Sequence, residues 1–449
     1  MSLSGNRVYA GFGLGAIQSG LFLYEAFVSG NFNRLVVAEV IPETVLRVRE
    51  NGGYLTVNIA HPDGIEFARI GPIEVLDPAI EADRRQMIGA LAVADEIGTA
   101  VPGIRFYTSS GAESLAQILA AGLLAKAEKE GPRAVIYTAE NHNHAAEILE
   151  DLVISQVPPA RHEALNHQVR FLNTVIGKMS GVITGRDEIA GLGLTPMTPG
   201  SERAFLVETF NRILISRIAF TEDGACNEAV AGAAFQRGLQ VFVEKNNLLP
   251  FEEAKLFGHN ATHALAAYLG ALASVQRVAE LPAIPRFLPF LRQAFLEESG
   301  AALIHRYGGL DPLFTQNGFA AYTDDLLARM VNPWLADTVD RVGRDVERKL
   351  DWDDRLIGAI RLGITERVLP RRYALGAAAA LVYLVPDYLS NTTDPAEPLM
   401  ILWGSSPRDP DQEKRVLELV RDGMDSIRQW RAQFAGNLEP LLAKYTLYV

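Results

Sequence analysis

Arg7-Val-Tyr-Ala-Gly11-Phe-Gly13-Leu-Gly15-Ala16-Ile17-Gln18 begins as a short apolar run, passes three glycines at alternate positions and continues as a helical pattern through Val28. Strand, glycine-rich turn and helix in that order open an α/β unit. Glycines let the backbone turn tightly and let a pyrophosphate approach the amide N–H groups at the helix start. The motif fits in two registers. Gly11-x-Gly13-x-x-Ala16 has the usual form with alanine third, whereas Gly13-x-Gly15-x-x-Gln18 puts a large residue there. The expected cofactor-binding turn therefore covers Gly11, Gly13, Gly15, Ala16 and Ile17. Glu39 ends the next apolar run at a suitable distance. A carboxylate there accepts hydrogen bonds from a ribose diol and repels a 2′-phosphate, so the expected cofactor is NAD rather than NADP.

Working outward, apolar runs at 35–40, 54–59, 73–75, 96–101 and 134–138 alternate with helical patterns at 42–50, 81–92 and 111–130. Such alternation predicts crossover units: a parallel-rich, doubly wound sheet with helices on both faces. From about residue 250 the helical patterns follow one another, at 250–275, 285–306, 321–348, 353–364, 373–387 and 410–446. The expected fold is thus an α/β Rossmann-type dinucleotide-binding domain over residues 1–246 and an all-α substrate and catalytic domain over 247–449. The polar stretch 244–249 reads as the hinge. The residues after 391, with a polar helix at 412–433, read as a peripheral or oligomer-contacting addition.

Composition narrows the classes of function. The chain has 449 residues, 48% apolar and 21% charged, which is the balance of a soluble globular protein. A net charge of −12 argues against a nucleic-acid partner. The single Cys226 excludes disulfide scaffolds and multi-cysteine zinc sites and fits a reducing compartment. No apolar run approaches the roughly 20 residues that span a bilayer, and no export leader is apparent. A cytoplasmic protein, monomeric or a small homo-oligomer, with no membrane partner, is expected.

The second chemical signal is Lys255-Leu-Phe-Gly-His-Asn260-Ala-Thr-His263. On an α-helix, at about 100° per residue, Lys255, His263 and Asn260 fall on one side, near 0°, 80° and 140° of the wheel. The flanking Ala264, Leu265, Ala266, Tyr268 and Leu269 make the helix largely apolar. A lysine withdrawn from water titrates downward and can serve as a base near neutral pH. A Lys, an Asn and a His on one helix face are more often solvated or structurally satisfied than catalytic.

Further segments carry a resemblance. They are Asp95-Glu-Ile-Gly-Thr99-Ala-Val101, Glu140-Asn141, Phe171-Leu-Asn-Thr-Val-Ile176 and Val207-Glu208-Thr-Phe. Lys255-x4-Asn260-x2-His263 follows, with Ala-Tyr268-Leu-Gly270 behind it. Last come Asp340-Arg341-Val-Gly-Arg344-Asp-Val-Glu-Arg348-Lys349-Leu and Asp354-Arg355-Leu. Together with the glycine turn, these segments resemble the polyol-specific long-chain dehydrogenase (mannitol dehydrogenase) family, in its order and over most of the chain. Within the family the mannitol-phosphate branch is most similar. The resemblance implies an NAD-dependent, metal-independent oxidoreductase acting on a polyol or polyol phosphate. It assigns Lys255 as general base, Asn141 and Asn260 as donors to the developing alkoxide, and His263 as an orienting group. Thr99 and Val101 would lie beside the nicotinamide.

The arginines recur at helical offsets, so Arg341, Arg344 and Arg348 are expected to share a face. They could hold a substrate phosphate or hydroxyl together with Lys349, or pair with the acids between them. Where relatives carry an Asp-Arg pair, this chain has Gly177-Lys178. His142, in the unusual Asn141-His-Asn-His144, is assigned to substrate contact. His142 and His144 lack a third metal ligand, so no metal is expected. The alternatives are a dehydrogenase of an unphosphorylated polyol, a uronate reductase, or a nucleotide-binding protein whose chemistry has drifted.

Overall fold

A computed structural model describes residues 7–109, 113–210, 212–220, 235–389, 393–404, 407–434 and 436–446. Cys226 lies outside them. The chain divides into two compact units, 1–249 and 250–449.

The first unit contains β1 (Val8–Phe12), β2 (Arg34–Ala38), β3 (Leu55–His61), β4 (Gly64–Ile70), β5 (Glu74–Leu76) and β6 (Glu96–Thr99). It continues with β7 (Ala134–Thr138), β8 (Val169–Val175), β9 (Ser180–Thr184), β10 (Arg203–Glu208), β11 (Ile213–Ser216) and β12 (Phe242–Lys245). Eight strands make one sheet in the order β12-β11-β8-β7-β6-β1-β2-β5. From β5 to β8 every pairing is parallel. Within that sheet the first six strands follow the 3-2-1-4-5-6 order of a dinucleotide-binding fold. The β8–β11 pairing is antiparallel and β11–β12 is parallel, extending the sheet beyond that core.

Both faces of the large sheet are buried, which is why its central strands read as unbroken apolar runs. Tyr9, Leu35, Val37, Val135 and Tyr137 point to one core. Their neighbours Val8, Ala10, Val36, Ala38 and Ile136 point to the other, with Leu91, Leu119 and Leu149 from the helices Glu81–Val93, Leu115–Glu128 and Ala145–Ile154.

The expected helices lie on both faces, and the first of these cores is covered by a second sheet as well. There Leu21, Phe22 and Ala26, from the helix after the glycine turn, pack with Leu55, Val57, Ile59, Phe205 and Val207. Those last five belong to a second sheet, ordered β4-β3-β10-β9. The run at 54–59, expected in the main sheet, instead pairs antiparallel with β4 and parallel with β10. β4 carries the exposed charges Glu66 and Arg69 and so lacks the unbroken apolar run of a buried strand. The hinge also begins later than expected, because Glu244 and Lys245 pair with Ile215 and Ser216 in the large sheet.

The second unit is helical. The expected helix at 321–348 is three α-helical pieces, Gln316–Met330, Val339–Gly343 and Val346–Lys349, with a 3-10 turn Pro333–Leu335 after the first. Asn332-Pro333 stops the first, since a residue before proline is driven out of the α region. Thr338 starts the second by accepting a hydrogen bond from Arg341 N–H at 3.1 Å. Asp345, at φ 58°, separates the second from the third.

The C-terminal helix Pro410–Phe434 is no peripheral addition. It buries Val416, Val420, Met424, Ile427 and Trp430 and packs along Arg371–Leu384, itself nearly all buried. Deep in this unit Arg372 is held by Glu298 (3.2 Å), Gln293 (2.8 Å) and the carbonyl of Tyr445 (3.0 Å). Burial pushes the Glu298 carboxyl up to about 7, against the opposing pull of Arg372.

Candidate active site

In the first unit the glycine turn follows the second of its two registers. Gly13 has φ 79°, the left-handed conformation that glycine adopts freely, and its N–H donates to the Ala38 carbonyl at 2.8 Å. A side chain on Gly15 would meet nothing within 4 Å, so the backbone there is open to an approaching group. Gly11 does other work. It lies inside β1, and a Cβ on it would sit 2.1 Å from the Gln18 amide. The fingerprint thus places its small residue on the strand and its large one, Gln18, on the helix. Gln18 in turn donates to the Tyr9 hydroxyl at 2.8 Å. Ala16 and Ile17 begin the helix, and Ser19 N–H donates to Gly15 at 2.9 Å.

Glu39 is buried beside this turn. Its Oε2 accepts from Leu14 N–H at 2.6 Å and its Oε1 from Ile41 N–H at 2.8 Å. Each carboxylate oxygen keeps a second lone pair, so the residue braces the loop and can still accept from a diol. Thr99 and Val101 are tied to a residue the sequence suggested only as half of a pair. Glu140 accepts from the Thr99 hydroxyl at 2.8 Å, Val101 N–H at 2.9 Å and the Tyr107 hydroxyl at 2.5 Å. Burial nonetheless raises its carboxyl above the usual range.

These groups gather at the carboxyl ends of β1, β2, β6 and β7, about the boundary between β1 and β6 where the strand order reverses. Such a switch point is where α/β sheets bind ligands. An open backbone at Gly15, the tight turn at Gly13 and an acidic acceptor at Glu39 fit a dinucleotide. Asn141 and His142 lie beyond β7 and are exposed. The Nδ1 of His142 accepts from His144 N–H at 3.1 Å, so that nitrogen serves the turn. Among the described residues no three His, Cys, Asp or Glu side chains converge as metal ligands would.

In the second unit Lys255 and Asn260 stand on a π turn, Ala254–Asn260, between the helices Leu249–Glu253 and Ala261–Leu272. Ala261 N–H reaches back five residues to Leu256. That wider step carries residues five apart, Lys255 and Asn260 among them, closer to one side than the α-helical wheel predicts. Burial and the Arg355 guanidinium bring Lys255 down to about 8. His263 is pushed down to about 3 by burial, then by Arg341, Arg355 and Lys349. His259 is buried and held well below the ordinary imidazole range by burial, then by Arg329, His263, Lys255 and Arg355. Both imidazoles are therefore neutral near pH 7.

The arginine set does not share one helical face. Arg341 is bonded to Asp337, and burial lowers its guanidinium to about 10. Arg344 caps the short helix in an extended conformation and is exposed. Arg348 is exposed and lies 3.5 Å from Asp345. Lys349 is buried, donating to the Val342 carbonyl at 2.7 Å and to the Arg344 carbonyl, and burial with Arg355 lowers it to about 8. Two residues were missed as site members. Arg355, 8% exposed, is the charge common to Lys255, His259, His263 and Lys349. Asp337 is 6% exposed. The break at Asn332-Pro333 was a legible signal that the chain turns there.

The model of the mannitol dehydrogenase C-terminal domain matches residues 247–432. The mannitol-1-phosphate 5-dehydrogenase of Arthrobacter sp. (strain FB24) is 31% identical over 374 residues, 82% of this chain and 84% of that one. The chain belongs to the mannitol dehydrogenase family. Among solved structures, Pseudomonas fluorescens mannitol 2-dehydrogenase, in a ternary complex with NAD and D-mannitol, is similar at TM-score 0.63 and 16% identity. That match covers 99% of this chain and 91% of the other. A D-sorbitol dehydrogenase is similar at TM-score 0.70 and 13% identity, over 97% of this chain and 94% of the other. At such identities the two structures speak for the fold: the mannitol dehydrogenase architecture accounts for nearly the whole chain.

Proposed function

We propose that this chain is an NAD-dependent dehydrogenase that oxidises a secondary alcohol of a polyol phosphate, with Lys255 as general base. The observation that carries the reading is the electrostatic setting of the Lys255–His263 segment. In a chain of net charge −12, Arg341, Lys349 and Arg355 all act on His263, and Arg355 also helps bring Lys255 to about 8. Buried Lys349 and Arg355 and the partly exposed Arg341, set around a proton acceptor, suit an anionic substrate, and guanidinium groups grip phosphate oxygens as a fork.

Gly13, Gly15, Ala16 and Ile17 would hold the NAD pyrophosphate and Glu39 the ribose diol, with Thr99 and Val101 beside the nicotinamide. When bound, NAD supplies the acceptor for the hydride leaving the alcohol carbon. The neutral Lys255 amine takes the hydroxyl proton. Asn260 donates to the oxygen as negative charge develops on it, a contact worth on the order of 3 kcal/mol in comparable sites. Asn141 is given the same donor role by its family position, and His142 a substrate contact. Arg341, Lys349 and Arg355 take the phosphate, with Arg344 and Arg348 adding charge around Lys349. Lys255 supplies the base, so no metal is invoked. The protein acts as a monomer or small homo-oligomer in the cytoplasm.

A uronate would offer a carboxylate to the same cations and is the second reading. NADH fluorescence followed by NAD reduction across polyols, polyol phosphates and uronates tests the assignment. Lys255→Ala is expected to keep NADH binding and to lose turnover by about a hundredfold or more. Turnover that survives Lys255→Ala overturns the mechanism. NADH binding without turnover of any of these substrates favours a drifted nucleotide-binding protein.

A further inference from the structure

Asp337 and His263 face each other with bonding capacity unused on both sides. The Nε2 of His263 lies 3.9 Å from Oδ2 of Asp337. Neither atom is accessible to water and neither has a hydrogen-bond partner. The other oxygen, Oδ1, takes the Arg341 guanidinium, which anchors the carboxylate and leaves Oδ2 turned toward the ring. Buried polar atoms almost always find partners, and an unpaired one costs about 1–3 kcal/mol. The gap is too long for a hydrogen bond as it stands. A buried carboxylate at this distance already favours a proton on the ring nitrogen that faces it.

We infer that Asp337 is a positioning residue for the site proposed above, accepting a hydrogen bond from His263 Nε2–H while holding Arg341. The inference rests on that reading for its place in catalysis. A carboxylate has only acceptors, so its partner nitrogen must carry the proton. His263 is then locked as the Nε2–H tautomer, and Nδ1 keeps its lone pair. The side chain is 16% exposed and Nε2 is buried, so the accessible part of the ring lies away from Asp337. One acid thereby sets both the face that the imidazole offers to a substrate hydroxyl and the direction of a guanidinium. The logic is that of a buried carboxylate orienting a catalytic histidine.

The test reads the tautomer directly, by nitrogen-15 NMR of the histidine-labelled protein, with His263 assigned by its loss in His263→Gln. Wild-type protein is expected to show a protonated Nε2 and a bare Nδ1 at this residue. In Asp337→Asn the amide oxygen is kept by Arg341 and the amide N–H₂ faces the ring, so the tautomer should reverse. Turnover should fall about tenfold or more, chiefly in kcat. A bare Nε2 in the wild type overturns the proposal even if the variant fails to fold. So does an unchanged tautomer in a folded Asp337→Asn protein. Because the resting protein is measured without substrate, this result is independent of whether Lys255→Ala abolishes turnover.

Discussion

At Lys255 an ordinary amine pKa near 10.4 leaves a negligible fraction of free base at neutral pH. Burial and Arg355 bring it to about 8. The sign of the pH dependence follows. Alcohol oxidation needs the neutral amine, so kcat/KM should rise about tenfold per pH unit up to about 8 and then level off. Carbonyl reduction needs the ammonium and should fall above the same midpoint. A profile flat from pH 6 to 9 contradicts the assignment, and Arg355→Gln should move the midpoint upward. Glu39 yields a second prediction. Glu39→Ala removes both the diol acceptor and the charge that repels a 2′-phosphate. The kcat/KM preference for NAD over NADP should shrink about tenfold or more. An unchanged preference would leave Glu39 as a loop brace for Leu14 and Ile41 alone. The amine, carboxamide and imidazole of the Lys255 motif were legible because residue type and spacing are local properties. Asp337 and Arg355 were not, since they reach His263 from 74 and 92 positions along the chain.

Among the elements, the strand–turn–helix unit shows how a motif can be recognised and its parts still be misassigned. Gly11 and Gln18 read as alternative registers, yet they are two halves of one contact between β1 and its following helix. Gly11→Ala should drive a methyl into the Gln18 amide and cost about 1–3 kcal/mol, as overpacking does. Gln18→Ala in the same chain should recover part of that loss, and a double-mutant cycle by chemical denaturation measures the coupling. Additive effects would mean the two residues do not share the space. The helices were legible from apolar periodicity, but the π turn at Ala254–Asn260 was not, because one five-residue step leaves no mark in composition. The break in 321–348 is marked at Asn332-Pro333, where the residue before proline leaves the α region.

For the whole molecule, the helical unit carries a buried acid that links its stability to pH. Glu298 has a folded pKa of about 7, raised above its ordinary 4.5. The native state therefore binds more protons between those values. The stability this group contributes is fully present below about 4.5 and is lost as pH rises through about 7. The urea midpoint of the wild type should fall relative to that of Glu298→Gln over this window. A constant difference contradicts the shift. Comparing the two variants also cancels His259 and His263, whose depressed pKa values work in the opposite direction. By itself the sequence determined the alternation that makes a parallel sheet, the succession of helices after residue 250, and the presence of the Lys255 motif and the glycine turn. Each of these depends on residues within a few positions of one another. Only the tertiary structure decided the second sheet, the burial of the C-terminal helix, the partnership of Gly11 with Gln18, and the gathering of Arg341, Lys349, Arg355 and Asp337 about His263. Those outcomes depend on desolvation and on contacts between distant segments, which no local pattern encodes.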